Sequence, residues 1–505
     1  MNNPSVAAGF ELTSGAREFL ARSNHQLLIN NQWQNATTTH RIETRDPASG
    51  ELLGDIAEAG AADIDQAVAA ARAALKDDSW KGLTGSARSR LLWRMADLME
   101  ENIDELSELE TLDQGKPLGI GRWAEIPGSI EQFRFFAGQC TRLEGVQIPT
   151  SINYQPPGKR VHAFTRKEPV GVVAAIVPWN SPIIMAAMKL APALAAGCTV
   201  ILKPAEDTSL TALRLGELII EAGFPPGVVN ILTGRGEITG KGLVEHPGVD
   251  KVAFTGSTAV GKQILSDARH NLKKVTLELG GKSPVIVMGD ADMEAAIGGA
   301  ANAIFFNAGQ VCVAGSRIYA HRSVFDQLVE GVSAAANALK LGHGLSADTQ
   351  CGPLVSKKQQ SQVLSYIEQG KKDGATVVTG GGALDQPGCF VQPTVVADVT
   401  PEMPIVREEI FGPVVVATAF DEPEEVLALA NDSDYGLAAS IWTESLSTAH
   451  HMAEDLQAGT VWINSHSMYD ASLPIGGVKQ SGWGRESGQQ AVDNYLEVKT
   501  VCAIL

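Results

Sequence analysis

VGVVAAIVPWNSPIIMAAMKLAPALAAGCTVIL, residues 170–202, is apolar enough to read either as a membrane span or as a buried strand–helix–strand unit. Lys189 is its single charge, and Pro178, Trp179, Asn180, Pro182 and Pro192 divide it into pieces too short to cross a hydrocarbon core of ~30 Å. The buried reading fits better. VGVVAAIV is an unbroken apolar run, the pattern of a strand covered on both faces. A helical stretch follows over 182–196, and CTVILK is a second strand. The alternation continues with a helix from Ser209 to Ala222, VVNILT, a short helix near 238–245, KVAFTG, a helix over about 258–269 and KVTLEL. Such alternation predicts a parallel, doubly wound sheet with right-handed crossovers and helices on both faces.

A second α/β region begins near Gly280. PVIVM, a helix after Asp292, RIYA, a helix over 323–341, ATVVTG, PVVVATAF, a helix over 423–430 and AASIWT repeat the pattern. Toward the N-terminus, residues 140–168 are polar and strand-like, an excursion from the main body. Ala61 to about Leu112 carries helical periodicity, and DPASGELLGDI (46–56) reads as a turn between two strands. The tail NYLEVKTVCAIL reads as a strand able to join another sheet.

The composition narrows the function classes. A chain of 505 residues exceeds the size of one hydrophobic core, and 44% hydrophobic with 19% charged residues is a globular composition. A net charge of −18 excludes a nucleic acid as the natural partner and disfavours an acidic membrane surface. The six cysteines stand at least 38 residues apart, without zinc-ligand spacing, so no metal site is expected. The N-terminus lacks the basic and apolar regions of a secretory signal, and sparse cysteines suit a reducing compartment, so a soluble cytoplasmic protein is expected.

Several motifs carry chemistry. FTGSTAVGK (254–262) places Gly256, Ser257 and Gly261 at a strand end that opens a helix, where free N–H groups favour a pyrophosphate. The spacing is G-x-x-x-x-G rather than G-x-G-x-x-G, and a structural turn accounts for it as well. LKPAE (202–206) sets Glu206 after a strand, where a carboxylate bonds a ribose hydroxyl and repels a 2′-phosphate, favouring NAD over NADP. A surface Lys–Glu pair is the plain alternative. FFNAGQVCVAGSR (305–317) holds Cys312 in a loop of small residues, either a nucleophile or an inert buried thiol. VTLELGGKSP (275–284) sets Glu278 in an apolar context that raises a carboxyl toward the range of a general base, or simply caps a turn. PWN ends the first buried strand with Asn180, an amide able to donate to an oxyanion. EEIFGPV (408–414) and LPIGGVKQSGWGRESG (473–488) complete the set. His450 and His451 read as surface residues. His466 is the one histidine near the expected tunnel, and the remaining cysteines read as packing residues.

In this order and spacing, with about 34 residues between Glu278 and Cys312, the motifs resemble those of the aldehyde dehydrogenase superfamily over nearly the whole chain. The resemblance implies a Rossmann-like NAD-binding domain from 1–146 and 170–279, an α/β catalytic domain from 280–480, and a small β oligomerisation arm from 147–169 and 481–505. It assigns Cys312 as nucleophile, Glu278 as general base, and Asn180 with the Cys312 N–H as oxyanion hole. NAD would lie along Ile176, Pro178 and Trp179, with Lys203, Glu206 and Gly236 at the adenosine ribose. Ser257, with the turn from Gly256 to Gly261, would hold the pyrophosphate, and Glu409 the nicotinamide ribose with Phe411 beside it; Phe254 and Leu279 are also expected to contact the cofactor. A homo-oligomer is implied, a tetramer rather than a dimer.

The resemblance also implies a chemistry. The thiolate attacks the aldehyde, hydride leaves to NAD, and water activated by Glu278 hydrolyses the thioester. Relatives that acylate CoA commonly lack that carboxylate, which argues against a CoA-dependent reading. An intact Cys312, Glu278 and Asn180 argue against a non-enzymatic one. Residues 461–482 and 165–180 are similar to those of phenylacetaldehyde dehydrogenases. Ser181, Met185 and Met188, then Phe306, Val311 and Val313, then Met468, Tyr469 and Ile475 are expected to line the substrate tunnel. Many relatives carry Phe at the positions of Ser181 and Ile475, so a wide apolar tunnel is expected. It holds no Arg or Lys for a second carboxylate. A general aliphatic and aromatic aldehyde dehydrogenase is the alternative to phenylacetaldehyde.

Overall fold

The computed structural model describes residues 9–151 and 157–505. Residues 170–202 form the strand Val172–Ile176, the helix Pro182–Ala196 and the strand Thr199–Lys203, all almost wholly buried. Among the described residues no helix is long and apolar enough to cross a membrane.

Five parallel strands build the first sheet in the spatial order Lys274–Glu278, Lys251–Thr255, Val172–Ile176, Thr199–Lys203, Val229–Ile231. The chain winds outward from Val172–Ile176 in one direction, then returns to its other side with Lys251–Thr255. That reversal opens a crevice at the carboxyl ends of these two strands, where ligands of doubly wound sheets bind. PWN and FTGST sit at those ends. Leu27–Ile29 and Gln32–Gln34 extend one edge antiparallel, and Gly482–Trp483 the other.

A seven-stranded sheet follows, ordered Thr376–Thr379, Thr394–Ala397, Val414–Phe420, Arg317–His321, Pro284–Val287, Ala438–Trp442, Thr460–Ile463. It is parallel except at its first pair. The tail Leu496–Ile504 pairs antiparallel with Val161–Pro169 along its length, and Gln147–Ile148 completes a three-stranded sheet. Residues 152–156 of the expected arm lie outside the described residues.

Two expectations change. Residues 481–495 do not run with the arm sheet. Gly482, at φ 105°, turns the chain alongside Leu277–Glu278, and the helix Gly488–Asp493 packs on Pro182–Ala196. Cys140, Cys198, Cys351 and Cys389 are buried as expected of packing residues, whereas Cys502 is exposed, because the arm strand has one open face.

Candidate active site

The helix Met293–Phe305 is capped by Asp292, whose carboxylate accepts from the N–H groups of Glu294 and Ala295. Past its end Asn307 (φ 48°), Ala308 (φ 53°) and Gly309 (φ 71°) turn left-handed in succession. Asn and Gly tolerate this and Ala does not, so the loop stores strain that its neighbours must hold. Gln310 does part of that work, donating to Asn307 O at 3.0 Å and accepting from Val355 N–H at 2.9 Å. Asn180 does the rest from the other sheet: its Nδ2 donates to Gln310 O at 2.8 Å, while Asn307 Nδ2 donates to Asn180 O at 3.0 Å. The amide expected at the oxyanion is thus tied to the loop two residues before Cys312, and its second N–H is left for another acceptor.

The glycine pair of LELGGKSP packs between the remaining motifs. A Cβ on Gly280 would fall 2.3 Å from Glu409 Oε2, and one on Gly281 would fall 2.5 Å from Cys312 O. Gly281 N–H donates to Glu409 Oε1 at 2.9 Å. Glu278, Cys312 and Glu409 therefore converge although 131 positions separate the first from the last. Burial pushes the Cys312 thiol up to about 12, with Glu409 and Glu278 adding to the shift, while the N–H groups of Val313 and Cys312 oppose it. Burial likewise lifts Glu409 to about 7. Glu278 is raised well above the ordinary carboxylate range, by burial first and then by Glu486, and its Oε1 has no hydrogen-bond partner among the described residues. An unpaired carboxyl oxygen held dry beside a thiol is suited to binding and deprotonating a water.

Behind Glu278 lies a buried polar group that the sequence did not announce. Lys189 pairs with Glu486 and donates to Thr255 Oγ1 at 2.7 Å. The only trace of it in the sequence is one charge in an otherwise apolar stretch.

The expected cofactor residues collect along the crevice. Lys203 Nζ lies 3.1 Å from Glu206 Oε2, and Gly236 N–H donates to Glu206 Oε1 at 3.5 Å. Ser257 caps the helix Thr258–Asp267 by accepting from Val260 N–H at 3.3 Å, which keeps its own hydroxyl proton free for an anion. A Cβ on Gly261 would meet Leu279 at 2.7 Å, and one on Gly256 would meet the Phe254 ring at 2.5 Å, so a larger residue at either position would displace that side chain. Trp179 and Phe411 meet edge to face at 5.2 Å, and Phe411 is itself left-handed (φ 56°). Ile176 and Pro178 bring the chain to this crevice. A helix N-terminus at Ser257 and the carboxylate of Glu206 along one crevice fit a dinucleotide.

Around the thiol, Val311 packs on the cluster of Val313, Leu437, Ala438 and Trp462. Val313 is buried within that cluster, and Cys312 packs against it. Met185, Phe306 and Ile475 are half-buried, and Met188 is buried. Tyr469 is 44% exposed and packs edge-on against Trp462, with Met468 more open still. Ser181 is not a free polar group: its hydroxyl donates to Glu125 Oε1 at 2.9 Å, and Glu125 is paired with Lys116 at 3.2 Å. Glu125 and Lys116 carried no role in the sequence reading. A cavity of about 800 Å³ lies on the far side of Phe306, against Trp123 and Phe10, and reaches none of Cys312, Glu278 and Asn180.

Comparison with known proteins agrees with this geometry. The profile of the aldehyde dehydrogenase family matches residues 33–501. The chain is 48% identical to a phenylacetaldehyde dehydrogenase of Pseudomonas fluorescens over 95% of this chain and 96% of that one. It is 46% identical to a mitochondrial aldehyde dehydrogenase of Rattus norvegicus over 94% and 91%. An aldehyde dehydrogenase from Bacillus cereus, solved as its NAD+ complex, superposes with a TM-score of 0.95 at 48% identity, covering 98% of this chain and 99% of that one. The chain belongs to the aldehyde dehydrogenase family and is an NAD-dependent oxidoreductase.

Proposed function

We propose that this enzyme oxidises a broad range of aliphatic and aromatic aldehydes to carboxylic acids through a thioester on Cys312. The observation that carries the reading is the bond from Asn180 to the Cys312 loop, with Glu278 and Glu409 converging on the same thiol from separate elements.

The thiol, once deprotonated, adds to the aldehyde carbon. The carbonyl oxygen gains negative charge and is met by the Asn180 amide and the Cys312 N–H, donors already oriented by Gln310 and the loop. Bound NAD would supply the acceptor for the hydride of the tetrahedral carbon. Lys203, Glu206 and Gly236 would hold its adenosine end, Gly256 and Ser257 its phosphates, and Glu409 with Phe411 its nicotinamide end. Glu278 then takes a proton from water, the hydroxide adds to the thioester, and the acid leaves as Cys312 recovers its thiol. One oxyanion donor contributes ~3–4 kcal/mol in comparable sites, so Asn180→Ala should lower kcat by about two to three decades.

Apart from Ser181, whose hydroxyl is engaged by Glu125, and the Tyr469 hydroxyl, the side chains expected in the tunnel are apolar, and none is a cation that would pair a second carboxylate. Relatives of similar identity carry general names as well as phenylacetaldehyde dehydrogenase, which favours a permissive tunnel. The 48% identity to the Pseudomonas enzyme keeps phenylacetaldehyde as a second reading. Homo-oligomerisation through the arm, as a tetramer, belongs to the same proposal: its strand leaves Val498 and Ile504 exposed.

The test is NADH formation with phenylacetaldehyde, hexanal and succinic semialdehyde, without CoA. The permissive reading expects kcat/KM for the first two within about tenfold, ~1.4 kcal/mol, and a lower value for the third. A larger preference for phenylacetaldehyde would select the arylacetaldehyde reading. Turnover only with CoA would overturn the role of Glu278.

A further inference from the structure

His466 lies in the loop after the strand Thr460–Ile463, between two left-handed non-glycine residues, Asn464 (φ 51°) and Ser467 (φ 61°). The loop is pinned at its start: Asn464 Nδ2 donates to Thr443 O at 3.0 Å and Asn464 Oδ1 accepts from Thr443 N–H at 3.0 Å. Its end carries Met468 and Tyr469 toward the expected tunnel. Backbone strain on both sides of one half-buried side chain indicates that the position of that side chain matters.

The imidazole makes two hydrogen bonds. Nε2 lies 2.9 Å from Val313 O, and Nδ1 lies 2.9 Å from Ser440 Oγ. A carbonyl only accepts, so Nε2 carries the proton and Nδ1 accepts from the Ser440 hydroxyl. Ser440 stands on the central strand Ala438–Trp442 and is fully buried. Among the described residues, His466 is the only hydrogen-bond partner of the Val313 carbonyl. The Trp462 ring lies 4.8 Å from the imidazole, and a Cβ on Gly315 would come within 3.4 Å of its Cε1. Burial holds the ring down at about 4, so it stays neutral at physiological pH and its donor is constant.

We propose that His466 is a positioning residue of the reaction: a bridge from Ser440 to the Val313 carbonyl that fixes the Val313–Ala314 peptide, one residue past Cys312. The carbonyl follows directly on the Val313 N–H that faces the thiol. Releasing it frees the turn that aims both the sulfur and the Cys312 N–H. The proposal rests on Cys312 being the nucleophile. Cys312→Ala is therefore the control: retained turnover there would overturn that reading itself.

The test compares His466→Leu, His466→Gln and Ser440→Ala in the full-length enzyme, reading kcat, KM for NAD, alkylation of Cys312 by iodoacetamide and Tm. With His466→Leu, kcat should fall about tenfold or more, KM for NAD should change less than about twofold, and alkylation should slow. His466→Gln places an amide donor near the Nε2 position and should recover kcat to within about threefold of wild type. Ser440→Ala should give an intermediate loss. The proposal is overturned if His466→Leu keeps kcat and alkylation within about twofold of wild type. It is also overturned if the Gln variant is as impaired as the Leu variant at equal Tm, since filling of space would then be the whole role.

Discussion

Cys312 is a thiol whose ionisation is opposed by its surroundings: dry walls and two carboxylates push it up to about 12. Its reactivity without cofactor should therefore be low at neutral pH and rise steeply in alkali. Glu409 is the larger of the two charges acting on it, so Glu409→Gln should lower the thiol's pKa and speed its alkylation by iodoacetamide at pH 8 without NAD. An unchanged rate would contradict the convergence of these groups. Cys312, Glu278, Asn180 and Glu409 were singled out in the sequence because each sits in a short motif that resembles one of the family's. Lys189, Glu486 and Glu125 were not, because their meaning lies in partners far along the chain. Lys189 was visible as a charge where none belonged, but nothing local points to Glu486, 297 positions away.

The helix Pro182–Ala196 carries Lys189 into the core from the expected apolar stretch. Lys189→Met would leave Glu486 buried without its cation, at a cost of about 3–5 kcal/mol, and should lower Tm as well as kcat. A variant of wild-type Tm would mean that the pair is not closed in solution. Elements buried on both faces were the most legible, since an unbroken apolar run admits few readings. The surface helix Lys357–Lys372 was missed, because only Gln360, Val363, Ile367 and Gly370 are buried and the rest is polar. Ile126–Gln139 was also missed, its aromatic residues and a proline in the first turn obscuring the period. The Gly482–Trp483 strand is two residues long and has no periodicity to read.

Across the whole molecule, buried histidines tie stability to pH. Burial and the neighbouring Arg22 lower His25 from its ordinary 6.5 to about 4, and the ring stacks on Phe19 at 4.9 Å. Between those values the unfolded chain holds a proton that the folded chain lacks. The contribution of His25 is therefore full above pH 6.5 and is lost as pH falls through about 4. His25→Asn should remove that dependence, so its stability relative to wild type should improve from pH 6.5 to 4 in urea titrations; a constant difference would contradict the assignment. Deleting residues 496–505 removes the strand paired with Val161–Pro169, so under the proposed assembly through the arm it should give a smaller species than the full chain in sedimentation velocity. The most direct measurement is rapid mixing of Glu278→Gln with NAD and aldehyde, followed by mass spectrometry. The account predicts a burst of about one NADH per subunit, stalled turnover and an acyl group on Cys312. Undiminished steady turnover, or a burst without an adduct on Cys312, would contradict it.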